Sequence, residues 1–286
     1  MNLITVYDYD EKNIPMKNLF LCWMHHVNQF AKNFNLYLIY GDKITEENLI
    51  SLTQNEISNI NVTMVKGNVC PIKHGVTELD TNYHVNFNLY NVMQVAKSIN
   101  QPFIYIDLDA ILLSDLSEWW NYIEDKTFIG TSHYPIGRTL NAGVYSISDV
   151  NKINYEILIE KFYENRDRYR EIISRSSEKS KSITDPLSYV NHETIFNTNG
   201  TLRHSGDQAL YANYFILTEE SPYYEKHGTS WNVFASRVEY DICREGFVEI
   251  SNVTGGNSNE KIKILHAYSF AKRPLLTKIS NSEYYQ

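Results

Sequence analysis

Two aspartates, Asp107 and Asp109, close an apolar run of β-branched and aromatic residues, Phe103-Ile104-Tyr105-Ile106. Residues two apart on a strand share a face, so both carboxylates are expected to point one way while Leu108 points the other. At the end of a buried strand such a pair repels itself and loses hydration, a cost that a cation between them would offset. Mg²⁺ and Mn²⁺ favour oxygen ligands and commonly combine one or two carboxylates with phosphate oxygens and water. The chemistry this spacing points to is capture of a metal diphosphate. The plainer alternative is that Asp107 opens a turn and Asp109 caps a helix starting near Leu116.

The elements around this pair read as α/β. Strand patterns at 3–7, 36–40, 61–65 and 103–106 alternate with helical spacing at 16–34, 46–54 and 87–98, which predicts a mainly parallel, Rossmann-like central sheet with helices on both faces. Ligands of such sheets collect at the carboxyl ends of the strands, where Tyr7 and Asp8 are expected beside Asp107 and Asp109. Farther along, a helix is expected at 116–123, a strand at 128–130, a strand at 140–147 and a long charged helix at 150–174. A polar stretch at 176–205 suggests an exposed loop or lid, followed by a helix at 207–215 and a late strand at 263–266.

Composition narrows the function classes. With 286 residues the chain fits one large domain or two small ones, and 43% hydrophobic content supports a sizeable core. Its formal net charge of −8 argues against a nucleic-acid partner. Cys22, Cys70 and Cys243 lie far apart without C-x-x-C spacing, so reduced thiols are expected rather than a zinc site. The amino terminus lacks a basic segment followed by a long apolar run, and no stretch reaches the ~18 apolar residues of a membrane span, so no transmembrane segment and a cytoplasmic location are expected.

Three further motifs complete the pattern. Asn141-Ala142-Gly143 combines a side-chain amide with residues small enough for close backbone approach. Asp207-Gln208 follows Gly206, and His266 precedes Lys272-Arg273-Pro274. Each has a bland reading: tight strand packing, a helix cap, and a histidine satisfied at a strand end. Taken together and in this order, the four motifs resemble an A-type-fold nucleotide-sugar glycosyltransferase, most like the retaining family of glycogenin and the bacterial lipopolysaccharide galactosyltransferases.

That resemblance implies a single glycosyltransferase domain over 1–286, with a nucleotide-sugar-binding half at 1–115 and an acceptor-binding half with the C-terminal metal and phosphate motif at 116–286. It implies a metal site of Asp107, Asp109 and His266 holding Mn²⁺ or Mg²⁺. Tyr7, Asp8, Asp107, Asn141, Ala142, Gly143 and Lys272 would bind a UDP-sugar donor, Lys272 through its diphosphate, and Asp207 and Gln208 would meet the transferred sugar. The implied reaction is sugar transfer to a sugar or glycoconjugate acceptor, with retention assisted by the leaving phosphate. Inversion would instead need a base near the acceptor, such as Asp207 or Glu193. The acceptor is expected between the 207–215 helix and the 176–205 segment, where Tyr134, Tyr189, His192 and Trp231 offer stacking faces. Two other classes remain: a sugar-nucleotide nucleotidyltransferase, against which the acidic Tyr7-Asp8-Tyr9-Asp10-Glu11 stretch argues, and a catalytically decayed carbohydrate-binding or scaffold protein.

Overall fold

The computed structural model describes residues 1–54, 58–74, 77–123, 126–132, 140–166, 206–208, 210–211, 214, 223–224, 231–253, 261–267 and 271–285. The first half runs β1 (Asn2–Tyr7), α1 (Ile14–Phe30), β2 (Asn35–Tyr40), α2 (Glu46–Thr53), β3 (Asn61–Lys66), α3 (Thr77–Asp80), a π-helical turn (His84–Leu89), α4 (Tyr90–Ile99) and β4 (Phe103–Ile106). The second half continues with β5 (Ala110–Leu112), α5 (Ser117–Trp120), β6 (Phe128–Ser132), β7 (Leu140–Ile147), α6 (Tyr155–Arg166), β8 (Tyr223–Tyr224), β9 (Val233–Phe234), β10 (Val238–Ile242), β11 (Val248–Val253), β12 (Ile264–His266) and α7 (Lys272–Asn281).

The central sheet has the order β3-β2-β1-β4-β7-β6-β8. Its first four strands are parallel, and β7 runs antiparallel to both β4 and β6. The sheet is therefore mixed but mostly parallel, as the alternating pattern predicts. Side chains of its central strands divide between two cores. From β1, Leu3 and Tyr7 enter one core while Ile4 and Val6 enter the other; from β4, Ile104 and Ile106 part from Phe103 and Tyr105 in the same way. Helices α1 and α7 cover the first face through Leu19, Phe20, Trp23, Leu275 and Ile279, and α4 and α6 cover the second through Val92, Met93, Leu158 and Phe162. No helix of the described residues is long and apolar enough to cross a membrane.

Several boundaries move from their expected places, each for a local reason. Helix α1 starts two residues early because Asn13 accepts a hydrogen bond from the Met16 amide and Pro15 suits the first turn. It stops at Phe30, just before Asn33, whose φ is +70°. The helix expected at 87–98 opens with a π turn, because Cys70 N–H takes the Asn86 carbonyl and the Tyr90 amide turns instead to Val85 and Phe87. Helix α6 starts at Tyr155, not 150, where Asn154 caps it through the Ile157 amide. The helix expected at 116–123 is only α5, and the described residues of 207–215 are helical.

Behind the main sheet, β5, β12 and β9 form a small second sheet. Trp119 and Trp231 join the two layers. Both are fully buried, their rings meet edge to face at 5.1 Å, and Trp119 Nε1 donates to Ser146 Oγ at 3.1 Å. Trp231 is thus a core residue carrying the Lys263 ammonium over its ring, not an acceptor-stacking face. Trp119→Ala should cost about 3–5 kcal/mol by urea denaturation, because the cavity removes both ring packing and the edge contact. A loss below about 1 kcal/mol would show that the layers are joined elsewhere.

Candidate active site

The parallel pairing of β1 with β4, Ile4 opposite Tyr105, makes both strands end at one edge of the sheet, where Asp8 and Asp107 line the same cavity. The two motif aspartates lie in the turn after β4 rather than on the strand itself. That turn is held by Asp107 N–H to Gly143 O at 2.8 Å and Ala110 N–H to Asp107 O at 3.0 Å. Neither aspartate caps a helix. The chain instead folds back as β5, which pairs antiparallel with β12 and sets His266 opposite Ala110. Ala267 N–H donates to Asp109 O at 2.8 Å, pinning the two segments together.

This return brings Asp107, Asp109 and His266 into one cluster, with a ligand atom from each lying within 4.8 Å of the others. His266 Nε2 is 3.2 Å from Asp109 Oδ1, and Lys272 Nζ at the start of α7 is 2.7 Å from Asp109 Oδ2. Behind the ring, His266 Nδ1 meets Asn232 Oδ1 at 2.9 Å, and Asn232 Nδ2 donates to Asn141 Oδ1 at 3.1 Å. Gly143 N–H donates to the same Asn141 oxygen at 2.9 Å. A Cβ on Gly143 would stand 2.7 Å from His266 Cε1 and 3.0 Å from Asp107 Oδ2. The motif's smallness therefore serves the cluster of Asp107, Asp109 and His266, letting β7 pass close beneath it. Asn141 is buried with its oxygen engaged, and Ala142 is buried in the second core.

The electrostatics separate the two carboxylates. Burial, then the charge of Asp109, pushes Asp107 up from 3.8 to about 7, against the opposing hydrogen bond from Tyr105 Oη. Burial would raise Asp109 as well, but the His266 imidazole and the Lys272 ammonium beside it outweigh that and hold Asp109 below the usual carboxylate range. Lys272 loses some basicity to burial and regains more from Asp109, so its pKa rises. Two oxygens and one imidazole nitrogen, with one carboxyl that burial keeps from ionising freely, suit a divalent cation of the Mg²⁺ or Mn²⁺ type.

A cavity of about 490 Å³ opens beside the cluster, lined by Asp8, Tyr9, Lys43, Tyr83, His84, Asn88, Asp107, Asp109 and Lys272 among others. Tyr7, expected in the site, is fully buried against Phe20 at 4.3 Å, and Tyr9 faces the cavity instead. Asp8 Oδ2 accepts from Lys43 Nζ at 2.9 Å and Tyr83 Oη at 2.6 Å. Its Oδ1 packs against Gly41, where a Cβ would come within 2.2 Å of it. Lys43, Tyr83 and Asn232 are site residues the sequence reading missed. Lys43 carried a usable signal, since it stands just past the carboxyl end of β2. Asn232 and Tyr83 carried none.

Asp207 and Gln208 are half-buried, and Asp207 Oδ1 accepts the Gln208 amide at 2.8 Å. The Asp207 charge reaches the cluster, adding to the upward push on Asp107. Tyr134, Tyr189, His192, Glu193 and the 176–205 segment lie outside the described residues.

No protein-family model matches this sequence, and no curated protein matches it. Solved structures do. Mouse xyloside xylosyltransferase 1 in its apo form aligns with a TM-score of 0.55 at 12% identity, covering 94% of this chain and 98% of that one. The apo form of the glycosyltransferase GlyE from Streptococcus pneumoniae TIGR4 aligns with a TM-score of 0.54 at 12% identity, covering 99% of this chain. This chain spans 60% of that GlyE chain. The chain has the A-type glycosyltransferase fold.

The raised carboxyl of Asp107 gives a pH test. Between the ordinary carboxyl range and about 7 the folded state holds the proton that the unfolded state has lost, so this group's contribution to stability falls as pH rises through that window. In chelator-treated protein, Asp107→Asn should therefore gain Tm relative to wild type from about pH 5 to pH 8. Parallel Tm profiles of variant and wild type would contradict the buried, self-repelling pair.

Proposed function

We propose that this protein is a metal-dependent glycosyltransferase that moves a sugar from a UDP-sugar to a sugar or glycoconjugate acceptor, with retention at the transferred carbon. The observation that carries this reading is the convergence of Asp107, Asp109, His266 and Lys272 at the mouth of a cavity bounded by Asp8 and Tyr9, at the carboxyl ends of β1 and β4. The fold supports it, and so do the four motifs in their order.

Asp107, Asp109 and His266 would hold Mn²⁺ or Mg²⁺, which when bound neutralises diphosphate charge and polarises the bond to the leaving group. The protein's own groups do the rest. Lys272, a mobile point charge, exchanges its contact with Asp109 for the diphosphate and stabilises UDP as it departs. Asp8, Tyr9 and Lys43 form the wall that receives the nucleoside, with Lys43 paired to Asp8 before the donor enters. Asp207 and Gln208 orient the transferred sugar, the carboxylate accepting from its hydroxyls. In the retaining route the departing phosphate oxygen takes the acceptor's proton on the face from which it left, so no separate base is needed.

UDP release measured over a panel of UDP-sugars with Mn²⁺ should reveal at least one consumed donor, and EDTA should abolish the activity. His266→Ala and Lys272→Ala should each lower turnover about ten- to a hundredfold, the equivalent of ~1.5–3 kcal/mol for a charge-assisted contact. Donor binding that is equally strong without metal, or wild-type rates in both variants, would overturn the assignment.

A further inference from the structure

We infer that Asn232, backed by Asn141, fixes the tautomer of His266 and so determines that Nε2, facing the two aspartates, carries the lone pair available to a cation. The inference rests on the metal reading of Asp107, Asp109 and His266 above and deepens it. Asn232 is a positioning residue that acts through the imidazole.

The two ends of an asparagine side chain are alike in shape, and the tautomer of a histidine ring is ordinarily a matter of assignment. Here a backbone group settles both. Gly143 N–H can only donate, so the Asn141 atom it meets at 2.9 Å is the amide oxygen. That oxygen is also 3.1 Å from one end of Asn232, which must then be the NH₂ group. The other end of Asn232 is therefore its carbonyl oxygen, an acceptor, and the His266 nitrogen 2.9 Å away must be Nδ1–H. A neutral ring with its proton on Nδ1 keeps its lone pair on Nε2. Turning any member of the relay would set donor against donor or acceptor against acceptor. With Asn141 3% exposed, Asn232 0% and His266 1%, little water can repair the mismatch.

The relay is needed because the nearest strong acceptor pulls the other way. Asp109 Oδ1 lies 3.2 Å from Nε2, and a carboxylate at that distance favours a proton on the nitrogen facing it. Left alone with Asp109, a neutral ring would settle as the Nε2–H form, which offers the cluster a donor and no ligand. Asn232 supplies the competing acceptor on the far side. An aspartate there would accept equally well, but it would add a third carboxylate beside a pair that already repels itself, and it would lose the donor that anchors Asn141. Gly143 keeps the geometry compact, since a Cβ there would stand 2.7 Å from His266 Cε1. Partners behind a ligating histidine commonly alter metal affinity ten- to a hundredfold.

Three proteins test this: wild type, Asn232→Leu and Asn232→Asp. Free Mn²⁺ measured by electron paramagnetic resonance should show Asn232→Leu binding about ten- to a hundredfold more weakly, with Asn232→Asp restored to within a few-fold of wild type because a carboxylate also accepts from Nδ1–H. Imidazole ¹⁵N–¹H spectra of the metal-free wild type near pH 8.5, with His266 assigned by its absence in His266→Gln, should show a proton on Nδ1 protected from solvent exchange. This second measurement needs no variant at position 232 to fold. A bare Nδ1 with the proton on Nε2, or Asn232→Leu binding Mn²⁺ as tightly as wild type, would overturn the inference. Failure of wild type itself to bind Mn²⁺, with Nδ1 still protonated, would strike the metal reading and leave the tautomer assignment standing.

Discussion

Everything at this site depends on holding two carboxylates together at the edge of a core. Asp107 and Asp109 sit where Coulomb repulsion and lost hydration both oppose them, and the surrounding fold answers with cationic and donor groups rather than with water. The answer comes from far along the sequence: His266 arrives through the pairing of β12 with β5, and Lys272 follows at the first turn of α7. The small second sheet therefore delivers His266, and the helix that follows it Lys272, to the carboxyl edge of the large one. Its attachment through Trp119 and Trp231 has the same consequence, because the buried Trp231 fixes the backbone from which Asn232 reaches the imidazole.

Much of this fold was legible because period-two and helical patterns are strong in the first 110 residues. The parallel strands β1 to β4 lie within a residue or two of their expected places, and both helix layers follow from the apolar spacing. What the pattern could not convey was any hydrogen bond made across the sequence. The π turn at His84–Leu89 exists because Cys70 claims a carbonyl, and nothing in the local sequence announces that. The trimmed end of α1 has the same origin in a single residue, Asn33, whose left-handed backbone is invisible to hydrophobic periodicity.

The site was legible in a different sense. Asp107, Asp109, His266 and Lys272 were identifiable from residue type and order, and the structure brings all four together. The aspartates nevertheless converge with His266 through a turn and a returning strand rather than by sharing a strand face. Tyr7 shows the limit from the other side. It follows the carboxyl-end rule in position, yet alternation along β1 sends its ring into the core and leaves the cavity to Tyr9, two residues on. Asn141-Ala142-Gly143 had both a packing and a functional reading; the packing reading is realised in Gly143, and what it packs against is the cluster itself.

The cavity has a lysine at each of two aspartates, Lys43 on Asp8 and Lys272 on Asp109, and the exposures of these pairs say what they are suited to do. The aspartate side chains are 7% and 10% exposed, whereas those of Lys43 and Lys272 are 54% and 34% exposed. A lysine with access to solvent regains its hydration on leaving, so the cost of separating either pair falls on the buried carboxylate. Asymmetry of this kind favours exchange. An incoming polyanion can recruit either ammonium on its flexible stem, provided another cation or hydrogen-bond donor serves the aspartate left behind. At Asp109 a divalent ion shared with Asp107 and His266 can do that, while at Asp8 the Tyr83 hydroxyl already supplies a second donor. On the proposed reading the two ends of the cavity are thus unequal: anion binding at the Lys272 end would be coupled to metal binding, and at the Lys43 end it would not.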